Sequence, residues 1–382
     1  MTRLVDALRP FVDSQLVPGL VAAVGRGRDV EVVVLGDRSI DGGPMGEDSL
    51  FRIASVTKPM MAALTLTFVA DGTFGLDDPV GGLLPELASP LVVCSLTGPP
   101  DDTVPAKGPI TVRHLLTSTN GHGFGSDFSA PVAQLLVERL GQGPPQPQRV
   151  LPPDGWMAVL GDIPLLHQPG AAFTYNTAFD ILGVLVARAA GRSLPEVMAR
   201  RIFEPLAMTE SGFAFAPATN ERRTCYYGHG DDGLVEQDGP DGQWSSVPAF
   251  ASGAGGLVST VADVLAFGRM LLDGGGDLLP GALVTAMTAD QLTPSIRATD
   301  TVFLDGQSWG FGGGVDVERR NPWNVPGRFG WVGGTGTSAY VVPTDDSVAV
   351  LLTQVELTGP TGNRALEGFW SAAAEHLGHA TA

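Results

Sequence analysis

Only two lysines occur in the 382 residues, Lys58 and Lys107, and every other basic residue is arginine. On a surface the two types are near substitutes. They differ where a neutral amine is needed, because a guanidinium is not deprotonated in proteins whereas a buried ammonium can be. Lys58 follows Ser55 by three residues in the segment FRIASVTKP. Helical spacing puts the two side chains on one face, neighbours across a turn. Pro59 is tolerated only near a helix start, which sets Ser55 at the N-terminal mouth. There the free backbone N–H groups and the helix dipole favour developing negative charge. A serine hydroxyl is a weak nucleophile, and a neutral amine beside it is one way to activate it. The pair predicts acyl transfer through a covalent serine intermediate. So short a spacing also arises by chance, in which case Lys58 is an ordinary solvated charge.

A rival nucleophile is Ser308, in Gly306-Gln307-Ser308-Trp309-Gly310, with His376 or His379 available to complete a triad. That G-x-S-x-G pattern requires a helix directly after the serine. Phe311-Gly312-Gly313-Gly314 follows instead, a run that disfavours helix. The six histidines include no H-E-x-x-H, and no Cys or His cluster has zinc spacing. His122, in NGHGFGSD, reads as a surface-loop residue, with the crevice wall as its alternative. Asp71, Asp77 and Asp78 read as a solvated loop. No phosphate-binding lysine loop occurs, and the expected chemistry needs neither metal nor cofactor.

These residues need a scaffold, and the chain supplies two kinds of segment. GLVAAVGR (19–26) and VEVVVLG (30–36) are β-branched runs joined by a short turn, an antiparallel hairpin. TSAYVVP (337–343) and SVAVLLTQ (347–354) make a second one. An amphipathic helix opens the chain, with Leu4, Leu8, Phe11 and Val12, and another closes it, with Leu366, Phe369, Trp370 and Leu377 on one face. Between them the periodic segments are mostly helical: 56–70, 111–118, 176–190, 193–203 and 259–273, separated by connectors such as GPPQPQ (143–148). Strands outside and helices inside predict an α+β fold, an α/β sandwich whose antiparallel sheet, flanked by helices, is built from both ends. The expected division is an α/β domain from 1–75 and 255–382, with a mainly helical domain, 76–254, inserted and the active site in the crevice between them.

Composition narrows the partners. With 41 acidic against 23 basic side chains the net charge is −18, which disfavours nucleic acid and anionic membrane surfaces. A small-molecule substrate is the expected partner. The first residues, MTRLVDALRPFVDSQ, lack a secretory apolar core, no stretch is long and apolar enough to span a membrane, and Cys94 and Cys225 read as reduced thiols. A cytoplasmic location is expected.

FRIASVTK resembles the active-site segment of the serine β-lactamase-like superfamily, in its class C branch, and most nearly the family VIII carboxylesterases. ITVRHLLTSTNG (110–121), FTYNTAFDILG (173–183), IFEPLAM (202–208), GGLVSTVADVLAF (255–267) and GWVGGTGTSAYVVP (330–343) extend the likeness in order along the chain. The resemblance implies a β-lactamase/transpeptidase-like fold with Ser55 as nucleophile and Lys58 and Tyr175 as the proton-transfer pair. It also implies an oxyanion hole from the N–H groups of Ser55 and Gly334. Class C lactamases carry Y-x-N; here Asn176 follows Tyr175 directly and Thr177 takes the Asn position. Where lactamases place K-T-G, this chain has Trp331-Val332-Gly333. Trp331 removes a cation that would hold a substrate carboxylate and adds an apolar wall, so Trp331, Gly333, Asn176 and Thr177 are the expected substrate contacts. The implied function is hydrolysis of small carboxylic esters. The alternatives are a β-lactamase, D-amino-acid peptidase or amidase, an acyltransferase and, outside enzymes, a non-catalytic penicillin-binding or ligand-sensing scaffold.

Overall fold

The computed structural model describes residues 3–359 and 362–380. Its main sheet has seven antiparallel strands in the order Asp29–Gly36, Gly19–Arg26, Ser347–Leu352, Thr337–Val342, Phe329–Gly333, Gly314–Val315, Ser308–Trp309. The two hairpins expected from the β-branched runs therefore sit side by side, Val24 opposite Ala349. Gly27, at φ +59°, opens the two-residue turn of the first, a conformation that costs glycine little.

Strand residues alternate between faces, and each face carries its own helices. Tyr340, Val342 and Ala349 meet the helix Arg364–Leu377, against which Leu4–Asp13 packs. Ala339, Val341, Val348 and Val350 meet Val261–Leu272 on the other side. The helix Thr57–Ala70 is buried from Thr57 to Phe68. It lies between Thr177–Ala190 and the strand Phe329–Gly333. A helix apolar on all sides belongs in the interior, and one contiguous apolar core runs from the sheet through the helices on both sides.

Several elements depart from expectation. The helix anticipated over 193–203 is Leu194–Met198 followed by a π-helical turn, Ala199–Phe203. Pro131–Leu140 and Pro153–Gly161 are helices starting on proline, and Tyr226–Gly230 pairs with Gly233–Asp238. Ser308 is a strand residue with no helix after it, fully buried, its hydroxyl bonded to Asp290. His376 lies beside Glu31 and His379 beside Asp345, so neither serves Ser308. Among the described residues no helix is long and apolar enough to cross a membrane.

The Gly-rich run after Ser308 has a packing role. Gly312 adopts φ +82°, and a Cβ there would lie 2.7 Å from the Lys58 carbonyl oxygen and 2.8 Å from the Ala62 Cβ. Gly312→Ala is expected to destabilise the fold by about 1–3 kcal/mol through backbone strain and overpacking, read as a lowered denaturation midpoint at unchanged slope.

Candidate active site

Ser55 lies in a 3₁₀ turn, Ala54–Val56, immediately before the helix Thr57–Ala70. Ala54 has φ +42°, an uncommon value for a residue with a Cβ, and the surroundings hold it there. The Ile53 N–H donates to Leu257 O at 3.0 Å, and the Ile53 carbonyl accepts from the Thr337 hydroxyl at 2.9 Å. The Thr335 hydroxyl donates to the Arg52 carbonyl. The buried Arg52 guanidinium in turn binds the Asp238 carboxylate and the carbonyls of Thr224 and Gly239.

Lys58 is completely buried, and its Nζ reaches three oxygens: Ser55 Oγ at 2.8 Å, Asn176 Oδ1 at 2.9 Å and Ala254 O at 2.7 Å. Burial disfavours the ammonium and brings its pKa down to about 7, against the opposing pull of the Asp180 carboxylate. Tyr175 is fixed by reciprocal backbone bonds with Phe124, at 2.9 and 2.7 Å. Its ring stacks on Phe303 with centroids 4.2 Å apart, and Lys58 Nζ stands 4.5 Å from the ring centroid. Its hydroxyl accepts from Trp331 Nε1 at 2.7 Å and is hydrogen-bonded to Ser55. Burial pushes the phenol up to about 12, so it holds its proton at neutral pH.

Serine, amine and phenol, placed together by resemblance, thus meet in space. The expected substrate contacts divide. Asn176 is on the wall of the adjoining cavity, and so are Ser55 and Gly334, the expected oxyanion donors. Trp331, 1% exposed, is not a wall; it stands behind Tyr175 and donates to it. Gly333 also faces away, because a Cβ there would lie 2.3 Å from the Ile53 carbonyl oxygen. Thr177 is buried with its hydroxyl 3.3 Å from Gln142 Oε1. His122 is neither on the surface nor on the cavity wall. It is buried, its Nε2 is 2.9 Å from the Ile163 carbonyl, and desolvation lowers its pKa to about 4.

The residues that sequence reasoning missed lie behind Lys58. Asp180 accepts from Ser252 Oγ at 2.6 Å, the Ala254 N–H at 3.1 Å and Gln142 Nε2 at 2.8 Å. Burial raises its pKa. A single carboxylate in the otherwise apolar run TAFDILGVLV was the available signal for Asp180. Gln142, Ser252 and Ala254 come from irregular segments and carried none.

The cavity has a volume of ≈ 550 Å³. Phe124, Phe128, Phe250, Phe303 and Trp244 supply much of its wall. Among the described residues its lining contains no lysine, arginine or histidine, and its acids are Asp180 and Glu356. Among the described residues no three His, Cys, Asp or Glu side chains gather as metal ligands. Asp71 and Asp77 pair instead with Arg201 and Arg113, while Asp78 caps the Gly75 N–H.

The Beta-lactamase family matches residues 4–371. Esterase EstB of Burkholderia gladioli is 32% identical over 313 residues, covering 77% of this chain and 74% of its own. Lovastatin esterase of Penicillium rubens is 28% identical, covering 86% of this chain and 87% of its own. The solved structure of EstCE1, a hydrolase with promiscuous acyltransferase activity, superposes with a TM-score of 0.82 at 22% identity, over 97% of both chains. Fold, family match and esterase kinship agree: the protein belongs to the Beta-lactamase family and is a serine hydrolase.

Proposed function

We propose that this protein hydrolyses small, uncharged carboxylic esters through an acyl-enzyme on Ser55. The observation that carries the reading is the completely buried amine of Lys58, 2.8 Å from Ser55 Oγ, with its pKa brought to about 7. As Ser55 Oγ bonds to the ester carbonyl carbon, its proton passes to Lys58 Nζ. The carbonyl oxygen takes the negative charge and is met by the N–H groups of Ser55 and Gly334. Collapse breaks the bond to the alkoxide, which takes a proton from the Tyr175 hydroxyl; the proton on Lys58 restores that phenol. Water then enters and gives its proton to Lys58 as its oxygen bonds to the acyl carbon; collapse breaks the acyl–Oγ bond, Ser55 Oγ takes that proton back, and the acid leaves. Lys58 is the base in this scheme because Tyr175, held near 12, keeps its proton at neutral pH.

The ester preference rests on the lining. A lactam or peptide substrate carries a carboxylate, and among the described residues the cavity wall offers it no cation. EstB and the Penicillium enzyme, both named esterases, support the same class. Purified protein is expected to cleave p-nitrophenyl butyrate with kcat/KM at least about 100-fold above that for nitrocefin, the usual scale for a missing buried ion-pair partner. Comparable values would overturn the preference. A fluorophosphonate is expected to add once, at Ser55, by intact mass and peptide mapping, and to leave Ser55→Ala unlabelled. A cavity of ≈ 550 Å³ also has room for an acyl acceptor. Transfer to an added alcohol would appear as a new ester in the products.

A further inference from the structure

The oxygens that hold Lys58 are themselves held. Side-chain amides can be turned over at little cost in shape, so their direction must come from a partner that cannot change roles. The backbone N–H of Ala254 is such a partner, because it only donates, and it donates to Asp180 Oδ1 at 3.1 Å. Ser252 behaves alike: its hydroxyl accepts from the Gly255 N–H at 3.1 Å and gives its own proton to the same Oδ1. A carboxylate has no donor to offer. Gln142 must therefore present its NH₂ to Asp180 Oδ2, at 2.8 Å. That leaves Gln142 Oε1 to accept from Asn176 Nδ2, at 2.8 Å, and Asn176 Oδ1 to accept from Lys58, at 2.9 Å. A second arm is shorter. Ala254, whose N–H is spent on Asp180, accepts from Lys58 through its own carbonyl at 2.7 Å.

We propose that Asp180 is a positioning residue that aims the Lys58 lone pair at Ser55, acting through Gln142 and Asn176 on one arm and Ala254 on the other. The inference rests on the reading of Lys58 as the base for Ser55. A neutral amine has two N–H bonds and one lone pair. Asn176 Oδ1 and Ala254 O consume the two donors, and the third tetrahedral direction, toward Ser55 Oγ, is left to the lone pair. When the amine takes the serine proton, the new N–H occupies that direction and nothing else has to turn. A site that changes charge without reorganising keeps its barrier low.

The backbone is bent to complete the longer arm. Asn176 has φ +83° and ψ −68°, and the Thr177 N–H reaches back to the Tyr175 carbonyl at 3.3 Å, a γ-turn that costs a residue with a side chain about 1–3 kcal/mol. The bend lets an asparagine directly after Tyr175 reach Lys58. Asp180 and Gln142 are both buried, so their polar atoms find their partners within the protein.

Asp180→Asn is the test. The new amide must keep its oxygen toward the Ala254 N–H, which turns its NH₂ toward Gln142. Gln142 then turns over, Asn176 follows, and a donor faces Lys58. With p-nitrophenyl butyrate, kcat is expected to fall about 100-fold or more, the range for spoiling one proton-transfer group, while KM changes less than about threefold. The acid limb of kcat should move to lower pH, since Asp180 is the charge that raises Lys58. Tyr175 is the other titratable group against the amine, and Glu356 is the other acid on the cavity wall. Combining Asp180→Asn with Gln142→Glu restores an acceptor-only group one link nearer, able to accept from both neighbouring amides. It should recover at least about tenfold of the lost kcat.

A merely structural carboxylate would lower the melting temperature without moving the pH profile, and the second substitution would not rescue turnover. Either result overturns the proposal, as does Asp180→Asn with near-normal kcat and an unchanged profile. If Asp180→Asn does not fold, Gln142→Leu cuts the longer arm alone; about a tenfold loss of kcat supports the proposal and unchanged kcat overturns it. Ser55→Ala is assayed alongside. Activity surviving there overturns the active-site reading itself, whereas activity lost there but kept in the Asp180 variant overturns only the positioning role.

Discussion

Lys58→Arg is expected to lower kcat for p-nitrophenyl butyrate by about 10³-fold or more, nearly as far as Ser55→Ala, with the charge retained. The argument is one of proton affinity. A lysine at its ordinary value of 10.5 is neutral at pH 7 in only about one molecule in three thousand. Burial that brings Lys58 to about 7 makes roughly half of the molecules competent at that pH. An arginine in the same place is never competent, whatever its fit. The sign of the pH dependence follows. Wild-type kcat/KM should rise with pH through about 7 as Lys58 loses its proton, and the arginine variant should show no such limb. Steady-state rates from pH 5.5 to 9 check both statements. An arginine variant that keeps a tenth of wild-type turnover would remove Lys58 from the role of base.

How far the sequence could lead is set by where the information lies. The hairpins at 19–36 and 337–352 were legible because buried strands concentrate β-branched residues and the turns between them are short. The strands Ser308–Trp309 and Gly314–Val315 were not, since two residues have no period and a sheet edge alone recruits them. Ser55 and Lys58 were legible for a local reason, three residues on one helical turn. The direction of the Trp331 segment was not. Alternation puts Val332 and Gly334 on the cavity and Trp331 and Gly333 away from it, but a period of two does not say which set faces inward. Asn176 illustrates a further gap. Its motif position looked displaced, yet a positive φ brings its amide to Lys58. That contact depends on one strained dihedral, which no pattern of residue types encodes.

Trp331 gains its meaning from Tyr175, and the pair yields an expectation that varies with the leaving group. Tyr175→Phe should keep the ring stacked on Phe303 and lose only the hydroxyl that joins Ser55 to the Trp331 indole. Because the indole N–H donates to the phenol oxygen, the phenol's own proton is free to point at Ser55 and, later, at the departing oxygen. An alkyl ester leaves as a strongly basic alkoxide and needs that proton, and the loss for ethyl butyrate is expected to be about 10³-fold. p-Nitrophenolate leaves unprotonated at neutral pH, so p-nitrophenyl butyrate should lose only about tenfold, and the ratio of the two losses reports proton donation directly. The same substitution strands a buried indole donor, at a cost of about 1–3 kcal/mol in stability. Adding Trp331→Phe removes that orphan. The double variant should therefore regain melting temperature without regaining alkyl-ester turnover. Equal losses on the two esters would mean that Tyr175 shapes the site without passing the proton on.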